Sequence, residues 1–251
     1  GYPQPLHIIS AQLSELGLTL ASKSVDGKSN EIPAVQELLQ QLDISGCLVV
    51  ADALNCQKET ARVIVSGKGD YLLSVKENHP SLMRDIRDYI QDDSLRVSMS
   101  SQTIQEKNRD RIETRTAFVS HNIDWLPQKE QWVHLACIGA IHTQFQTQAG
   151  KSSQWHYYLS SRQLSADELL HHARMEWAVE SMHWLLDVHF DEDYLRVANK
   201  TIQENLNLLR KFSLGLIKQY KSKTASKRPL SKLMFDCLLD CSMILRILFQ
   251  N

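Results

Sequence analysis

Apolar positions change their period several times along the chain, and each change marks an element. Leu6–Ala11 and Leu18–Val25 read as two short strands joined by a turn at Glu15-Leu16-Gly17. Asn30 is a helix N-cap and Pro33 suits a first helical turn. Ile32, Val35, Leu38, Leu39 and Leu42 follow at helical spacing and predict a helix ending near Leu42. Leu48-Val49-Val50-Ala51 is an unbroken apolar run, the pattern of a strand buried on both faces, and it ends at Asp52. A helix centred on Gln57–Val65 is closed by Gly67 and Gly69, Tyr71–Val75 is a second buried strand, and Ser81–Tyr89 a further helix. This alternation predicts an α/β sheet with right-handed crossovers.

Beyond Asp93 the pattern becomes β-rich. Ile112–Val119, Trp132–Thr143 and Trp155–Ser160 read as strands joined by polar loops. Ser165-Ala166-Asp167-Glu168 is a capping box, and helix continues from it almost to the end. A basic linker, Lys221–Pro229, precedes a last apolar stretch, Ser231–Phe249. Asp236, Asp240 and Arg246 interrupt that stretch, so it predicts a buried C-terminal helix and no membrane span. The first residues lack the basic leader and apolar run of a signal peptide, and the expected location is the cytoplasm.

Composition adds little to this and charge adds one condition. With 251 residues and 43% hydrophobic content, the chain can bury a sizeable core. Its 28 basic and 29 acidic residues nearly cancel, so any nucleic-acid partner must be met by local clusters of positive charge. The five cysteines are odd in number, scattered and free of CxxC pairs, which predicts reduced thiols and neither disulfides nor a zinc site.

Two carboxylates stand out. Asp52 follows four apolar residues and so sits at the carboxyl end of a strand, where open α/β sheets bind ligands; the alternative is a helix cap or loop aspartate. Glu180 shares one helical face with Ala173, Trp177, Trp184 and Asp187. A carboxylate on such a stripe is either in a buried salt bridge or on a metal. A strand-end and a helix carboxylate together could hold Mg²⁺, with a third acidic group expected for phosphodiester chemistry.

Several motifs then follow one another in a specific order. They are Val25–Ala34 (VDGKSNEIPA), Gly46–Ala53 (GCLVVADA) with Cys56-Gln57-Lys58, and Asp70–Pro80 (DYLLSVKENHP). Arg111–Arg115 (RIETR), Tyr157–Ser161 (YYLSS) and Val179–Val188 (VESMHWLLDV) come next, with Phe190, Glu192, Asp193 and Arg196. Across nearly the whole chain this series resembles DDE transposases of the ISAs1 (H-repeat-associated) group, in the IS4-like superfamily. The resemblance implies an α/β, RNase H-like catalytic core with a β-rich insertion and a helical C-terminal region. It divides the chain into 1–93 (first part of the core), 94–163 (insertion) and 164–251 (helical part). It also implies a DDE triad using Mg²⁺ or Mn²⁺ for strand cleavage and transfer on double-stranded DNA, at insertion-sequence ends and target. By motif, Asp52 is the second Asp and Glu180 the Glu. The first Asp belongs on a strand before the one holding His7, so the expectation is a truncated chain with an open sheet edge, to which a second copy could pair. Ser181, Asp110 and Glu176 depart from the family pattern.

Candidate DNA contacts are Arg111, Arg115, His183, Lys227 and Arg228. Arg111, Glu113 and Arg115 share one strand face, as phosphate contacts or as a solvated face with a cross-linked charge pair. His183 either reaches phosphate or packs, Lys227 and Arg228 either track DNA or are solvated, and Trp155 and Trp184 are candidates for stacking on bases, with core packing the alternative for Trp184. The leading reading is a DNA transposase; the alternative is a non-catalytic DNA-binding remnant.

Overall fold

The structure, a computed structural model, describes residues 7–14, 18–25, 31–108, 111–148, 150–190 and 199–249. The side chains of 7, 108, 178–185, 187–190 and 200 lie outside that description, as do Asn30 and the expected turn at 15–17. The chain forms two compact units, residues 35–178 and residues 1–34 with 179–251.

The 35–178 unit is built on one six-stranded sheet. Its strands are β3 (Leu48–Ala51), β4 (Asp70–Val75), β5 (Ser100–Asn108), β6 (Arg111–Ser120), β7 (Cys137–Thr147) and β8 (Gly150–Ser160). They lie in the order β3-β4-β8-β7-β6-β5, with β3 and β4 parallel and every other pair antiparallel. Strand alternation divides the buried side chains between two faces. Tyr71, Leu73, Val75, Ile138, Ala140, Tyr157 and Leu159 point to one, where they meet Ala61 and Ile64 of helix α2 (Lys58–Ser66) and Leu82, Ile86 and Ile90 of α3 (Pro80–Gln91). Leu72, Cys137, Ile141 and Tyr158 point to the other, against Ala166, Leu169, Leu170 and Ala173 of α5 (Ala166–Phe190). The expected α/β class and strand–helix–strand order are both present, with α1 (Glu31–Gln41) before β3.

Three expectations change. β3 was expected to be buried on both faces, yet its four residues are half-buried, because among the described residues it pairs with β4 alone. The strand expected from Trp132 begins at Cys137; Trp132 and Leu135 are buried from an irregular segment, after a 3₁₀ turn at Lys129–Gln131 and through His134 at φ 56°. Burial alone explains that apolar run without a ladder. β5 is polar and gave no strand signal; it is held by its ladder to β6 and by cross-strand bonds such as Thr103 to Thr116 at 3.0 Å and Gln105 to Thr114 at 3.0 Å. A short α4 (Asp93–Arg96), capped by Asp92, was also unforeseen.

The β-rich segment does not stand apart as a layer of its own. β8 pairs with β4, so β5–β8 extend the sheet that β3 and β4 begin. The junction is secured by Asp70, which accepts from Ser161 Oγ at 2.9 Å and from Arg162 Nε at 3.0 Å, while Arg162 also donates to the carbonyl of Gly46 at 3.0 Å.

In the other unit, β1 (His7–Leu13) and β2 (Leu18–Val25) form an antiparallel hairpin with an irregularity at Ala11/Gln12. Helix α6 (Lys200–Lys223) packs on β2, with Ser24 donating to Glu204 and Lys211 Nζ donating to Ser10 Oγ at 2.7 Å. The basic linker is shorter than expected because α6 runs on to Lys223. The expected buried C-terminal helix is two helices, α7 (Leu230–Leu239) and α8 (Cys241–Phe249), broken where Asp240 accepts from Ser242 N at 2.8 Å and Ser242 Oγ at 2.7 Å. Leu233, Met243 and Ile247 are buried, but Phe235, Leu238, Leu239 and Phe249 are exposed. Among the described residues no helix is long and apolar enough to cross a membrane.

Gly139 of β7 lies where Leu169 of α5 presses on the sheet. A Cβ there would lie 2.6 Å from Leu169 Cδ2 and 3.2 Å from the carbonyl of Phe118. Gly139→Ala should therefore cost about 1–3 kcal/mol of stability, read as a lower urea midpoint with an unchanged slope.

Candidate active site

β3 delivers Asp52 to the carboxyl end of the parallel pair, where β3 and β4 both stop. Asp52 is exposed, and its Oδ1 accepts from the backbone N of Asn55 at 3.2 Å and from Asn55 Nδ2 at 2.9 Å. Helix α2 begins only at Lys58, with Gln57 at its cap position, so Asp52 is a loop carboxylate and not a helix cap.

Asp52 opens on a cleft of about 580 Å³, lined also by Ser74, Lys76, Glu77, Asn78, Trp155 and His156. The strand pairing explains why the cleft exists. β4 ends at Val75, opposite Tyr157, whereas β8 runs back to Gly150 and pairs there with β7 alone. The β4-side edge of Trp155 and His156 is thus left open beside the strand ends. Trp155 is half-buried and stacks on His142, with ring centroids 4.3 Å apart and planes 8° from parallel.

The loop after β4 is tied to the loop after β3. Asn78 Nδ2 donates to the carbonyl of Ala53 at 2.6 Å, and His79 Nε2 bonds the carbonyl of Cys56 at 2.6 Å. The His79 ring stands edge-on to Trp132 at 5.4 Å. Cys56 is fully buried; that burial, with the nearby Asp52 charge adding to it, pushes its thiol up to about 12. It stays protonated at neutral pH and is no nucleophile. All five cysteines are free thiols, as expected.

The oxygen donors lining the cleft suit a hard divalent cation, which takes few protein ligands and fills its shell with water and phosphate. Among the described residues no three of His, Cys, Asp and Glu gather into a metal cage.

Comparison with known proteins decides the family. The model of the transposase DDE domain matches residues 6–216. The chain belongs to that family. YncI of Escherichia coli O157:H7, which carries a provisional transposase name, is 32% identical over 243 residues, covering 94% of this chain and 62% of YncI. YhhI of Escherichia coli K12, provisionally named an H repeat-associated transposase, is 30% identical over 239 residues, covering 92% and 63%. This chain therefore spans about three-fifths of the length of these relatives. A cryo-EM structure of a piggyBac transposase synaptic complex with hairpin DNA superposes with TM-score 0.49 at 10% identity, over 96% of this chain and 48% of that one.

Within this DDE domain, Glu180 lies on α5, but its side chain, and those of His183, Trp184 and Asp187, fall outside the described residues. The start of α5 is firmly placed. Its capping box has Ser165 N donating to Glu168 Oε2 at 2.8 Å and Glu168 N to Ser165 Oγ at 3.2 Å. Farther along, Arg174 donates to Glu106 at 2.6 Å, and Glu106 also accepts from Arg115 at 2.7 Å. These arginines hold the Glu106 carboxyl below its usual range, so its contribution is present above about pH 4 and is lost as acid protonates it.

Arg115 continues this network inward. It pairs with Glu113, whose side chain is 4% exposed, and lies over the Trp177 ring of α5 at 5.3 Å. Its charge is shared between Glu106 and Glu113. Arg111 also pairs with Glu113 but is 47% exposed, 4.8 Å over the Phe145 ring. Lys227 is exposed between α6 and α7, and Arg228, also exposed, pairs with Asp236 at 2.6 Å.

The sequence reading missed Lys76, Glu77, Asn78 and His156 as cleft residues. The first three follow a buried strand, so the strand-end rule that singled out Asp52 covers them too. His156 enters only through the pairing of β8, which no local signal specifies.

Arg115→Met should destabilise the protein by about 2 kcal/mol, because Glu113 then stays buried with one partner fewer. Adding Glu113→Gln should return part of that loss, since the buried carboxylate short of a partner is then gone. Urea unfolding of the single and double variants measures both.

Proposed function

We propose that the protein is the core of a DNA transposase that cuts phosphodiesters at insertion-sequence ends and joins the freed 3′-hydroxyl to target DNA. The observation that carries this is Asp52, an exposed carboxylate at the mouth of a strand-end cleft, within the segment matched to the DDE domain. In this reading the β1–β2 hairpin, the β3–β4 pair and α5 belong to an RNase H-like core, and residues 94–163 are an insertion that extends its sheet. Asp52 and Glu180 hold divalent metal, Mg²⁺ or Mn²⁺, which when bound supplies charge stabilisation to the attacking and leaving oxygens. Lys76, exposed on the cleft wall, offsets charge on the phosphate being cut.

Charge at the far end of the sheet supports a DNA path. Lys107, Arg111 and Lys151 are exposed at the neighbouring tips of the β5–β6 and β7–β8 hairpins. From Trp155 to Gly150 is about 17 Å of strand, or about five nucleotide steps at 3.4 Å. A duplex lying along β8 would reach the cleft and the tips together. His183 and Lys227 are further phosphate contacts in this proposal. The setting is the cytoplasm, and a second copy of the chain is a partner in bringing DNA ends together.

Cleavage of labelled element-end DNA is expected to need Mg²⁺ or Mn²⁺ and to stop with EDTA, and Asp52→Asn should lower it by about 10²- to 10³-fold. DNA binding without cleavage at every metal concentration would favour the remnant, a reading motivated by Glu176, a carboxylate one turn before Glu180. Replacing Lys107, Arg111 and Lys151 with Ala should weaken DNA binding and flatten its salt dependence by about one unit of slope per lost contact. An unchanged slope would remove the hairpin tips from the DNA path.

A further inference from the structure

We propose that Asn78 is a positioning residue for Asp52, a latch that fixes where the loop carrying the carboxylate sits against the sheet. This rests on the reading of Asp52 as a metal-holding group. Asp52 stands just past a strand of four residues that, among the described residues, is paired on one side only. The chain then crosses residues 52–57 before α2 begins at Lys58. The Asn55 bonds to Asp52 lie within that same loop and move with it. They shape the turn but do not locate it against the sheet.

Location comes from across the cleft. The amide of Asn78 donates to the carbonyl of Ala53, the residue next to Asp52, at 2.6 Å. Asn78 sits three residues past the end of β4, whose five residues from Tyr71 to Val75 are all buried. The bond therefore refers the position of Asp52 to a buried strand that is paired on both sides. His79 makes a parallel tie to Cys56, but its ring also packs on buried Trp132, so its loss would disturb the core. Asn78 is exposed and lines the cleft, and its amide can be removed with little loss of packing.

A weakly held loop lets the carboxylate sample many orientations, and a ligand must then order it on binding. Groups that orient a metal ligand typically influence affinity by tenfold or more. Breaking the latch should thus weaken metal binding while leaving the fold, and metal-free contact with DNA, as they were.

The test compares the full chain with Asn78→Leu, which keeps similar bulk without a donor, and with Asp52→Asn. Binding of Mn²⁺ alone is followed by the spin-resonance signal of the free ion, and hydrogen exchange is followed by mass spectrometry. Asn78→Leu is expected to bind Mn²⁺ about tenfold more weakly and to exchange faster across residues 52–57. Its melting temperature, exchange across β4 and metal-free DNA affinity should match the wild type. Unchanged exchange at 52–57, or faster exchange with wild-type Mn²⁺ affinity, overturns the latch. Asp52→Asn binding Mn²⁺ like the wild type overturns the metal reading beneath it, an outcome seen in that variant whatever Asn78→Leu does.

Discussion

The placement of Asp52 depends on the one-sided ladder between β3 and β4. Four residues, Leu48–Ala51, pair with Asp70–Leu73, and no second neighbour among the described residues reinforces them. Backbone bonds alone hold a short edge strand weakly. The protein compensates at both ends of the pair. At the amino end, Asp70 gathers Ser161 and Arg162, and Arg162 reaches the carbonyl of Gly46 just before β3. At the carboxyl end, Asn78 and His79 take carbonyls from the loop that follows β3. The strand is short, but neither end is free to fray.

The second constraint is the charge network over the outer strands. Arg111, Arg115 and Arg174 face half-exposed Glu106 and buried Glu113, three cations to two anions, so each carboxylate is shared and one positive charge is left over. Burying such a set costs desolvation, which only dense pairing offsets. What the fold gains is geometry. Arg174 and Trp177 lie on α5, and Glu106, Glu113 and Arg115 on β5 and β6, so the helix is registered against the outer strands as well as the inner ones.

Legibility in the sequence followed how local each cause is. β2, β4, α2 and α3 could be read because strand alternation, apolar runs and terminal Gly or Pro act within a few residues. The capping box at Ser165 is equally local, and its bonds are present. β5 was hidden because its polar sequence is made a strand only by β6. β3 looked central because its residues are apolar, and nothing in them encodes how many neighbours it has. Asp52 was legible through its place after an apolar run, but the cleft beside it is made by β8 outlasting β4, a fact of pairing across some eighty residues. Arg115 shows the reverse case. Alternation placed it on the face of Glu113, and whether that face was wet or dry depended on α5, far away in sequence.

The continuity of the sheet has a mechanical consequence. From the hairpin tips to β4 there is no interposed linker: β5 leans on β6, β6 on β7, β7 on β8, and β8 on β4 through unbroken antiparallel registers. Lys107 and Lys151 at one end and the strand end before Lys76 at the other thus belong to one hydrogen-bonded sheet. A change in the twist of the outer meander would have to be taken up at the β8–β4 join, which the Asp70–Arg162 knot braces and next to which the short strand leading to Asp52 is paired.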